Sequence, residues 1–436
     1  MALSKKPYKG CRDFHPKEMR IRDYIFEKMK KVAHDFAFEA YDGPLLEEVD
    51  LYLAKSGEEL INDQIYSFKD RGERTVAIRP EMTPTLARMV AGVHRETPKP
   101  IRWFSIPNLM RYEKPQRGRL REHWQFNADI FGAQEHLGEI EILSMMDHLM
   151  KNFGADTSMY GILLNDRRVV DAIFNHILKL DKDESHKLYK VIDKAKKVSP
   201  EVLEEMMSKI ITDSKKKEIF KNYLAISSFE ELTLFLEAHK IIELTGGFND
   251  FINKIKKLPV YDSLIYDPTI VRGLDYYTGV VFEVFDKHPD NRRAIAGGGS
   301  YANLLQIFNE DPLAGIGFGM GDVTLKDFLS THQLMPNLAH ATNDILVAYF
   351  DDECEEAAFK LATSLRQESL RTELNLGVIK FKKVFKLAET KGHSFIAMIG
   401  SNELNDGLVQ IKNLKNRDSK NIKIENIEEI KEYIRG

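Results

Sequence analysis

The chain has 436 residues, of which 63 are Lys or Arg and 67 are Asp or Glu, so its formal net charge is −4 at pH 7. This near balance excludes a global basic field that would attract nucleic acid, and any RNA contact has to come from local patches. The apolar runs are too short to span a bilayer, the first residues form no signal peptide, and Cys11 and Cys354 are too few for a disulfide framework. We therefore expect a cytoplasmic protein of two or three domains that does not enter a membrane.

Helical and extended patterns alternate through the first part of the chain. Apolar residues at helical spacing predict an amphipathic helix over 18–37, and residues 66–78 are typical of a hairpin that turns at Asp70-Arg71-Gly72. Pro84 is expected to open a helix over 84–93 with Thr83 as its N-cap. A further amphipathic helix is predicted over 135–153, ending at Gly154.

Residues 101–132 form a polar region. Asn108 to Glu113 predicts a strand, and Lys114 to Arg121 predicts a loop whose basic residues surround Gly118. His123 to Phe131 then alternates, with one apolar face (Trp124, Phe126, Ala128, Ile130) and one polar face (Gln125, Asn127, Asp129). The polar face fits a lined pocket and a solvated sheet face equally well. The basic loop fits phosphate contact or a solvated turn.

From Asp166 to about Leu258 helical periodicity dominates, which indicates a helical insertion. Ser228 and Glu231 have the spacing of a capping box. Lysine clusters at 194–197, 215–217 and 254–257 are typical of solvated helix faces, and an RNA-contacting patch is the alternative.

Residues 272–284 are typical of a strand that carries a cation and two phenols into a site at its start, with Tyr277, Gly279, Val281 and Glu283 on one face. Taken alone, the stretch fits a half-buried strand with amphipathic tyrosines better, and the polar clusters at 79–83, 108–132 and 294–301 favour a site. Glycines then recur in the stretches 297–299 and 315–321, without the spacing of a Walker A loop or a dinucleotide-binding turn. Alternating glycines indicate a strand face left bare for a ligand, or close packing against a helix. Beyond a polar linker at 331–343, alternating strands and helices predict a small α/β domain with a parallel or mixed sheet.

Together these segments resemble histidyl-tRNA synthetases, which are class II aminoacyl-tRNA synthetases. Phe38 to Pro44 resembles motif 1 of that class, Arg111 to Phe131 resembles motif 2, and Gly315 to Leu325 lies where motif 3 belongs. Arg272-Gly273-Leu274-Asp275-Tyr276-Tyr277 matches a histidine-specific signature, and Gly297 to Tyr301 matches a second one. The resemblance covers nearly the whole chain.

The resemblance implies an α+β fold in which helices flank the antiparallel sheet of class II synthetases, with a helical insertion and a C-terminal α/β domain. The implied catalytic domain has two parts (1–165 and 259–330), separated by the insertion (166–258) and followed by the linker (331–343) and an anticodon-binding domain (344–436). Motif 1 builds the dimer interface in the family, so a homodimer is expected.

The resemblance also implies roles for individual residues. Arg111 and Arg272 would approach the α-phosphate of ATP from opposite sides and are the expected catalytic residues, with Arg111 also on the histidine carboxylate. Asp129, where the family often has glutamate, and Tyr277 would read the imidazole. The histidine-binding set is Glu81, Met82, Thr83, Arg111, Gln125, Asp129, Arg272, Tyr276, Tyr277 and Tyr301. The ATP-binding set is Arg111, Glu113, Arg119, Arg121 and His123, and Lys114, Gln116 and Arg119 would approach the tRNA acceptor end.

The implied reaction joins L-histidine to ATP with release of pyrophosphate and then transfers histidine to the 3′ end of tRNA(His). A histidine carboxylate is already ionised at neutral pH, so the attack on phosphorus needs no general base. Fixed guanidinium groups and Mg²⁺ carried with ATP would align the anions and stabilise the developing charge. The expected ligands are therefore L-histidine, ATP, Mg²⁺ and tRNA(His).

Four positions depart from the family pattern. Thr324 occupies the position where motif 3 usually has an arginine near ATP. His123 occupies the position where many relatives have an aromatic residue that stacks on adenine. Ser300 and Ala302 replace the usual arginine and aspartate of the glycine signature. One alternative is a non-catalytic paralogue that regulates ATP phosphoribosyltransferase, although it would lack the anticodon domain and the Arg-Gly-Leu-Asp-Tyr-Tyr signature. The other is a tRNA-binding module without activity.

Overall fold

The computed structural model describes residues 3–54, 63–271, 277–338 and 343–435. The chain forms two compact units, one made of Met1–Asp13 and Arg22–Met335 and the other of Phe14–Ile21 and Pro336–Gly436. No helix in these described ranges combines the length and the apolar character that crossing a membrane requires.

The first unit contains twelve strands in its described part. They are β1 Glu39–Ala40, β2 Leu46–Glu48, β3 Tyr66–Lys69, β4 Thr75–Ile78, β5 Ile101–Ser105, β6 Asn108–Met110, β7 Glu122–Phe131, β8 Tyr160–Asp166, β9 Leu264–Tyr266, β10 Val280–Asp286, β11 Ala296–Tyr301 and β12 Gly315–Gly321. Nine of them form one sheet in the order β1-β5-β7-β12-β11-β10-β8-β9, with β6 paired to β7. The sheet is antiparallel except at its edges, where β1 runs parallel to β5 and β9 to β8. The predicted fold class is confirmed.

The described part of the chain contains eleven α-helices up to residue 331; the first begins in the segment Phe14–Ile21 of the second unit and continues into the first unit, which holds the other ten. The eleven helices are α1 Pro16–Asp35, α2 Asp50–Leu53, α3 Thr83–Val93, α4 Leu137–Asn152, α5 Arg167–Ala172, α6 Lys182–Lys194, α7 Pro200–Ser208, α8 Ser214–Leu224, α9 Phe229–Ala238, α10 Phe248–Ile255 and α11 Asp322–Thr331. A π-helical turn, Ile173–Leu178, continues α5. The helical character predicted for 166–258 is confirmed, and the division into domains remains a prediction.

Two predicted caps differ from the structure. Thr83 is the first residue of α3 rather than its cap, because the helix begins one residue earlier than expected and the cap position, Met82, makes no side-chain bond. Ser228 does accept a hydrogen bond from the backbone N–H of Glu231 at 3.1 Å. The Glu231 carboxylate, however, accepts from the N–H of Ser227 at 2.8 Å, so only one half of the predicted box forms.

The two faces of the large sheet differ because side chains alternate along each strand. Register carries this alternation across the sheet, since Asp129 pairs with Gly317, Gly317 with Gly299, and Gly299 with Val281. We call the face that holds these residues the pocket face. It consists of His123, Gln125, Asn127 and Asp129 of β7, Gly315, Gly317, Gly319 and Gly321 of β12, Gly297, Gly299 and Tyr301 of β11, and Val281, Glu283 and Phe285 of β10.

The opposite face of the sheet forms the core against helix α4. Phe126 and Phe318 stack edge to face there with ring centroids 5.3 Å apart. Gly138 of α4 comes so close to Ile316 that a Cβ added to the glycine would lie 3.0 Å from the isoleucine methyl group. Apolar burial on this side therefore holds the sheet rigid and leaves the pocket face to polar groups.

The second unit is a five-stranded mixed sheet in the order β14-β13-β15-β16-β17. Its strands are β13 Asn343–Tyr349, β14 Thr372–Leu374, β15 His393–Ile399, β16 Leu408–Asn413 and β17 Ser419–Lys423, and its helices are α12 Glu355–Gln367, α13 Phe381–Lys391, α14 Ser401–Asn405 and α15 Ile427–Arg435. The predicted α/β domain is confirmed. Two elements, α14 and β17, were not predicted from the sequence, and β17 gives little signal because only Ile422 is buried in an otherwise polar segment.

Candidate active site on the pocket face

The glycines of β12 make room for side chains of the neighbouring strand. A Cβ on Gly317 would overlap the Asp129 carboxylate, and a Cβ on Gly319 would lie 2.7 Å from Gln125 Cδ. On β11, a Cβ on Gly299 would lie 2.7 Å from Tyr277 Cδ1. The bare strands predicted from sequence are therefore present, but polar side chains of the site itself occupy the space nearest the backbone.

Asp129 and Tyr277 lie over adjacent strands. Each covers a glycine, and these two glycines, Gly317 and Gly299, are ladder partners on strands about 4.8 Å apart. The Tyr301 hydroxyl donates a hydrogen bond to Asp129 Oδ1 at 2.6 Å and so fixes the carboxyl orientation. We call the group formed by these three buried side chains the recess; Tyr277 and Tyr301 belong to the buried apolar cluster that also contains Leu86, Val281 and Leu304.

Burial changes the acidity of Asp129. Loss of hydration raises its pKa to about 7, and the Tyr301 hydroxyl opposes the shift because it stabilises the carboxylate. A carboxyl group with this pKa changes charge within the physiological range. It can accept a hydrogen bond from an N–H group strongly only in its ionised form.

A cavity of about 530 Å³ opens next to this recess. It lies between β7, the loop after Glu113, the glycines of β11 and β12, and the start of α11. Its lining includes Arg111, Glu113, Gly118, Arg119, His123, Gln125, Glu283, Phe285, Arg292, Arg293, Gly297, Gly319, Gly321 and Thr324. The volume suits a nucleotide-sized ligand, and arginines outnumber carboxylates along the wall, as an anionic ligand requires.

The charges of three lining residues follow from their surroundings: Arg119 and Glu113 form an ion pair, and His123 has a lowered pKa. Arg119 Nη2 donates to Glu113 Oε1 at 2.7 Å in a two-pronged ion pair, so this cation is already compensated. Burial lowers the pKa of His123 to about 3, with Arg111 and Arg12 adding to the shift. His123 is consequently a neutral ring near neutral pH, which suits stacking on a base.

Arg111 connects the cavity to the segment before α3. Its Nε donates to the backbone oxygen of Pro80 at 2.8 Å, next to Glu81, which is 5% exposed. The structure thus brings the predicted histidine-binding segment 81–83 to the wall that holds Arg111. Met82 is fully buried, whereas the neighbouring Thr83 is half-buried.

Some predicted site residues lie elsewhere. Arg121 does not line the cavity, because its guanidinium packs 4.0 Å from the Tyr112 ring centroid and donates to the backbone oxygen of Glu113 and to the Tyr8 hydroxyl. Lys114 and Gln116 are exposed on the loop, where Gln116 pairs with Arg119 through the backbone. Arg272 and Tyr276 lie outside the described residues.

Of the departures from the family pattern, Ser300 is remote from the cavity. It lies on the opposite face of the sheet, paired with Ile316, and its hydroxyl donates to Glu139 at 2.7 Å. Thr324, in contrast, lines the cavity in the first turn of α11, with its hydroxyl 3.3 Å from the backbone oxygens of Ile295 and Gly321.

Three lining residues, Glu283, Arg292 and Arg293, were not predicted from the sequence as site residues. Glu283 was placed on the correct strand face, but nothing in its spacing separated it from a solvated residue. Arg292 and Arg293 follow Asp290-Asn291 in what reads as an ordinary polar turn. The sequence feature that could have indicated a role in the site is their position just before the glycines at 297–299.

The cavity contains carboxylates that could take part in binding a metal ion. Among the described residues no group of three His, Cys, Asp or Glu side chains could hold a metal ion alone. Mg²⁺, however, usually binds through one or two carboxylates together with substrate phosphates. Glu283 and Glu113 line the cavity and meet that lesser requirement, with Glu113 already paired to Arg119.

Comparison with known proteins agrees with this geometry. A family model described as histidyl-tRNA synthetase matches residues 10–323, and one described as an anticodon binding domain matches residues 344–433. A histidine–tRNA ligase of Leptospira biflexa is 41% identical over 420 residues, which are 95% of this chain and 94% of that protein. A chloroplastic/mitochondrial histidine–tRNA ligase of Arabidopsis thaliana is 34% identical over 97% of this chain and 86% of its own length.

The fold is similar to that of a solved histidyl-tRNA synthetase from Nostoc sp. PCC 7120, with a TM-score of 0.81 over 99% of this chain and 100% of that one, at 20% identity. The family match over both parts of the chain, and relatives above 30% identity over nearly its whole length, decide its membership. The chain belongs to the histidyl-tRNA synthetase family.

Proposed function

We propose that this chain activates L-histidine with ATP and transfers it to tRNA(His), as an aminoacyl-tRNA synthetase in protein biosynthesis. A histidine carboxylate oxygen forms a bond to the α-phosphorus of ATP, the bond from that phosphorus to the bridging oxygen breaks, and pyrophosphate leaves with the electron pair. The observation that carries this proposal is the adjacency of the recess at Asp129 and Tyr277 to an arginine-lined cavity of about 530 Å³. In this proposal the recess holds a small polar ring, and the cavity holds a polyanion.

In this proposal the recess reads the imidazole of histidine. The Asp129 carboxylate accepts one ring N–H, and Tyr301 holds that carboxylate in place through its 2.6 Å hydrogen bond. Tyr277 covers the neighbouring glycine and supplies a phenol for the other ring nitrogen. A site whose buried polar groups need partners rejects amino acids that cannot supply them, by about 10⁴-fold in favourable cases.

The substrate's other end is held by groups around Arg111. Glu81, with Met82 and Thr83 shaping its segment, and Gln125 bind the α-amino group, and Arg111 bridges the carboxylate and the α-phosphate. Arg272 and Tyr276, which lie outside the described residues, are proposed on resemblance alone as the second phosphate-binding arginine and a pocket wall.

ATP occupies the cavity in this proposal. The neutral His123 ring stacks on adenine, and Arg119 lies at the wall with Glu113 as its partner. Arg121 is not part of the site, since its guanidinium is committed to Tyr8, Tyr112 and Glu113. Glu283 is the carboxylate that would hold Mg²⁺ together with the phosphates, and the ion would neutralise charge that develops on the leaving group.

The tRNA acceptor end would approach the exposed loop that carries Lys114 and Gln116, next to Arg119. The second unit, which matches the anticodon-binding family model, would contact the anticodon. We further propose a cytoplasmic homodimer. Exposed apolar residues around motif 1, Leu45 at 52% and Leu46 at 44% exposure, support a protein partner on that surface.

The regulatory-subunit alternative is not favoured. Such a paralogue would lack an anticodon-binding domain, and this chain has one at residues 344–433. The relatives above 30% identity along the chain carry the name histidine–tRNA ligase.

Aminoacylation tests the proposal directly. Purified protein is incubated with labelled histidine, ATP, Mg²⁺ and a tRNA(His) transcript, and acid-precipitable label is counted, with a tRNA for another amino acid as the control. We expect histidine to be attached only to tRNA(His). A folded protein that attaches none would contradict the enzymatic assignment and would favour a binding module.

A further inference from the structure

Arg293 lines the cavity beside Gly118 of the motif 2 loop and Thr324 of α11. A Cβ on Gly118 of the motif 2 loop would lie 2.9 Å from Arg293 Cδ and 3.3 Å from Thr324 Cγ2. The aliphatic part of Arg293 and the side chain of Thr324, in the first turn of α11, therefore both pack against Gly118 of the loop. Its backbone position, two residues before Ile295 at the entry to β11, brings the side chain to the cavity wall.

The charge of Arg293 is uncompensated in the described part of the protein. Arg119 is paired with Glu113, and Arg121 donates to Glu113 and Tyr8. Arg293, in contrast, forms no hydrogen bond and no ion pair with any residue that the structure describes. Asp290 and Asp327 line an adjoining cavity of about 130 Å³ with Arg293, yet neither lies within ion-pairing distance.

A partly buried cation without a partner is costly unless a ligand supplies the counter-charge. Thr324, which packs beside the same glycine, offers only a hydroxyl group already 3.3 Å from two backbone oxygens. The described lining of the cavity therefore has no cation from α11, whereas the loop that precedes β11 supplies Arg292 and Arg293.

We propose that Arg293 binds the outer phosphates of ATP and the departing pyrophosphate, in place of a cation that α11 lacks at Thr324. This inference rests on the proposed function. Arg293 forms no covalent bond and transfers no proton. Its guanidinium stays positively charged and stabilises the negative charge that moves onto the leaving oxygen as the α-phosphorus bond breaks.

The test compares Arg293→Ala with the wild type in histidine-dependent exchange of pyrophosphate into ATP. Loss of a charge-assisted contact predicts a rise of about 10- to 100-fold in KM for ATP and for pyrophosphate. KM for histidine should change by less than about twofold, because Arg293 does not approach the recess. Arg71→Ala, in the exposed turn at Asp70 to Gly72, is the matched control and should behave like the wild type.

Binding measurements separate phosphate contact from a structural role. Calorimetric titration should show that Arg293→Ala weakens the binding of ATP and of pyrophosphate but leaves that of AMP unchanged, because AMP lacks the outer phosphates. Unchanged ATP binding, or an equal loss for ATP and AMP, would overturn the proposal.

A second-site variant tests the location of the charge. Thr324→Arg in the Arg293→Ala background places a guanidinium on α11 and should restore KM for ATP to within about fivefold of the wild type. If the double variant melts like the wild type but does not recover its KM for ATP, the proposal is contradicted. If the double variant does not fold, Arg293→Lys decides instead, and its KM for ATP is expected to lie between those of the wild type and Arg293→Ala. An inactive wild type would refute the proposed function itself, whereas an active wild type matched by Arg293→Ala refutes only the role of Arg293.

Discussion

Gly317→Ala is the substitution that most sharply tests the arrangement of the histidine recess. The new methyl group would overlap the Asp129 carboxylate and lie 2.9 Å from the backbone oxygen of Ala128, in a central strand that cannot retreat. Asp129 must therefore leave its position and give up the 2.6 Å hydrogen bond from Tyr301. Overpacking costs about 1–3 kcal/mol, and the loss of a buried hydrogen bond costs about 1–3 kcal/mol more.

We expect Gly317→Ala to lower the free energy of unfolding by about 2–6 kcal/mol, measured by denaturant titration of the isolated protein. In pyrophosphate exchange, kcat/KM for histidine should fall by about 10- to 150-fold, the equivalent of a lost charge-assisted hydrogen bond. KM for ATP should change by less than about threefold, since the cavity wall at Gly319 and Gly321 is untouched.

Gly92→Ala is the matched control. A Cβ at Gly92, near the end of α3, meets no atom within 4 Å. Alanine should stabilise that helix by about 0.5–1 kcal/mol and leave the kinetics unchanged. If Gly317→Ala kept wild-type stability and histidine kinetics, Asp129 would not lie over this glycine and the recess would be misplaced.

Three further variants probe the other groups. Asp129→Asn should flatten the pH profile of kcat/KM for histidine below pH 6, from a slope near two to a slope near one, because only the free imidazole of the substrate still titrates there; an unchanged slope would mean that Asp129 does not bind the ring. Since burial raises the pKa of Asp129 from 3.8 to about 7, ionisation should progressively destabilise the wild type relative to Asp129→Asn as pH rises from about 4 to 7, which denaturant titrations at several pH values check. His123→Ala should raise KM for ATP about tenfold and His123→Phe should restore it, since the ring is neutral and acts by stacking; equal effects of both variants would refute stacking. Arg121→Lys should lower the free energy of unfolding by about 1–3 kcal/mol through loss of the planar contacts to Tyr112 and the Glu113 backbone, with KM for ATP within twofold of the wild type; a large change in that KM would return Arg121 to the nucleotide site.

The sequence predicted those parts of the fold where apolar periodicity is strong. The alternation of β7 and the helix over 381–391 are examples, because each buries one face against a large core. Predictions were poorer where a polar side chain had two possible partners. Thr83 was expected to cap α3, but the helix begins one residue earlier, and the Glu231 carboxylate accepts from the backbone N–H of Ser227 rather than from that of Ser228.

In the candidate site, too, the sequence predicted some residues and could not predict the direction of others. The polar face of β7 fitted a lined pocket or a solvated sheet face, and the structure places Gln125 and Asp129 of that face against glycines of β12. Sequence could not distinguish Arg119, which lines the cavity, from Arg121, which turns into a cluster of tyrosines, because both lie on one loop and differ only in side-chain direction. It also could not show that the loop at Arg293 folds back onto Gly118, since that contact joins residues far apart in the chain.

The most direct test of the proposed chemistry is histidine-dependent exchange of labelled pyrophosphate into ATP by the wild-type protein, measured across a panel of amino acids. The arrangement of the recess and the arginine-lined cavity predicts robust exchange with L-histidine and only background exchange with the other amino acids. Exchange that is absent from a well-folded protein, or that another amino acid supports equally well, would contradict the assignment of the pocket face as the site of histidine activation.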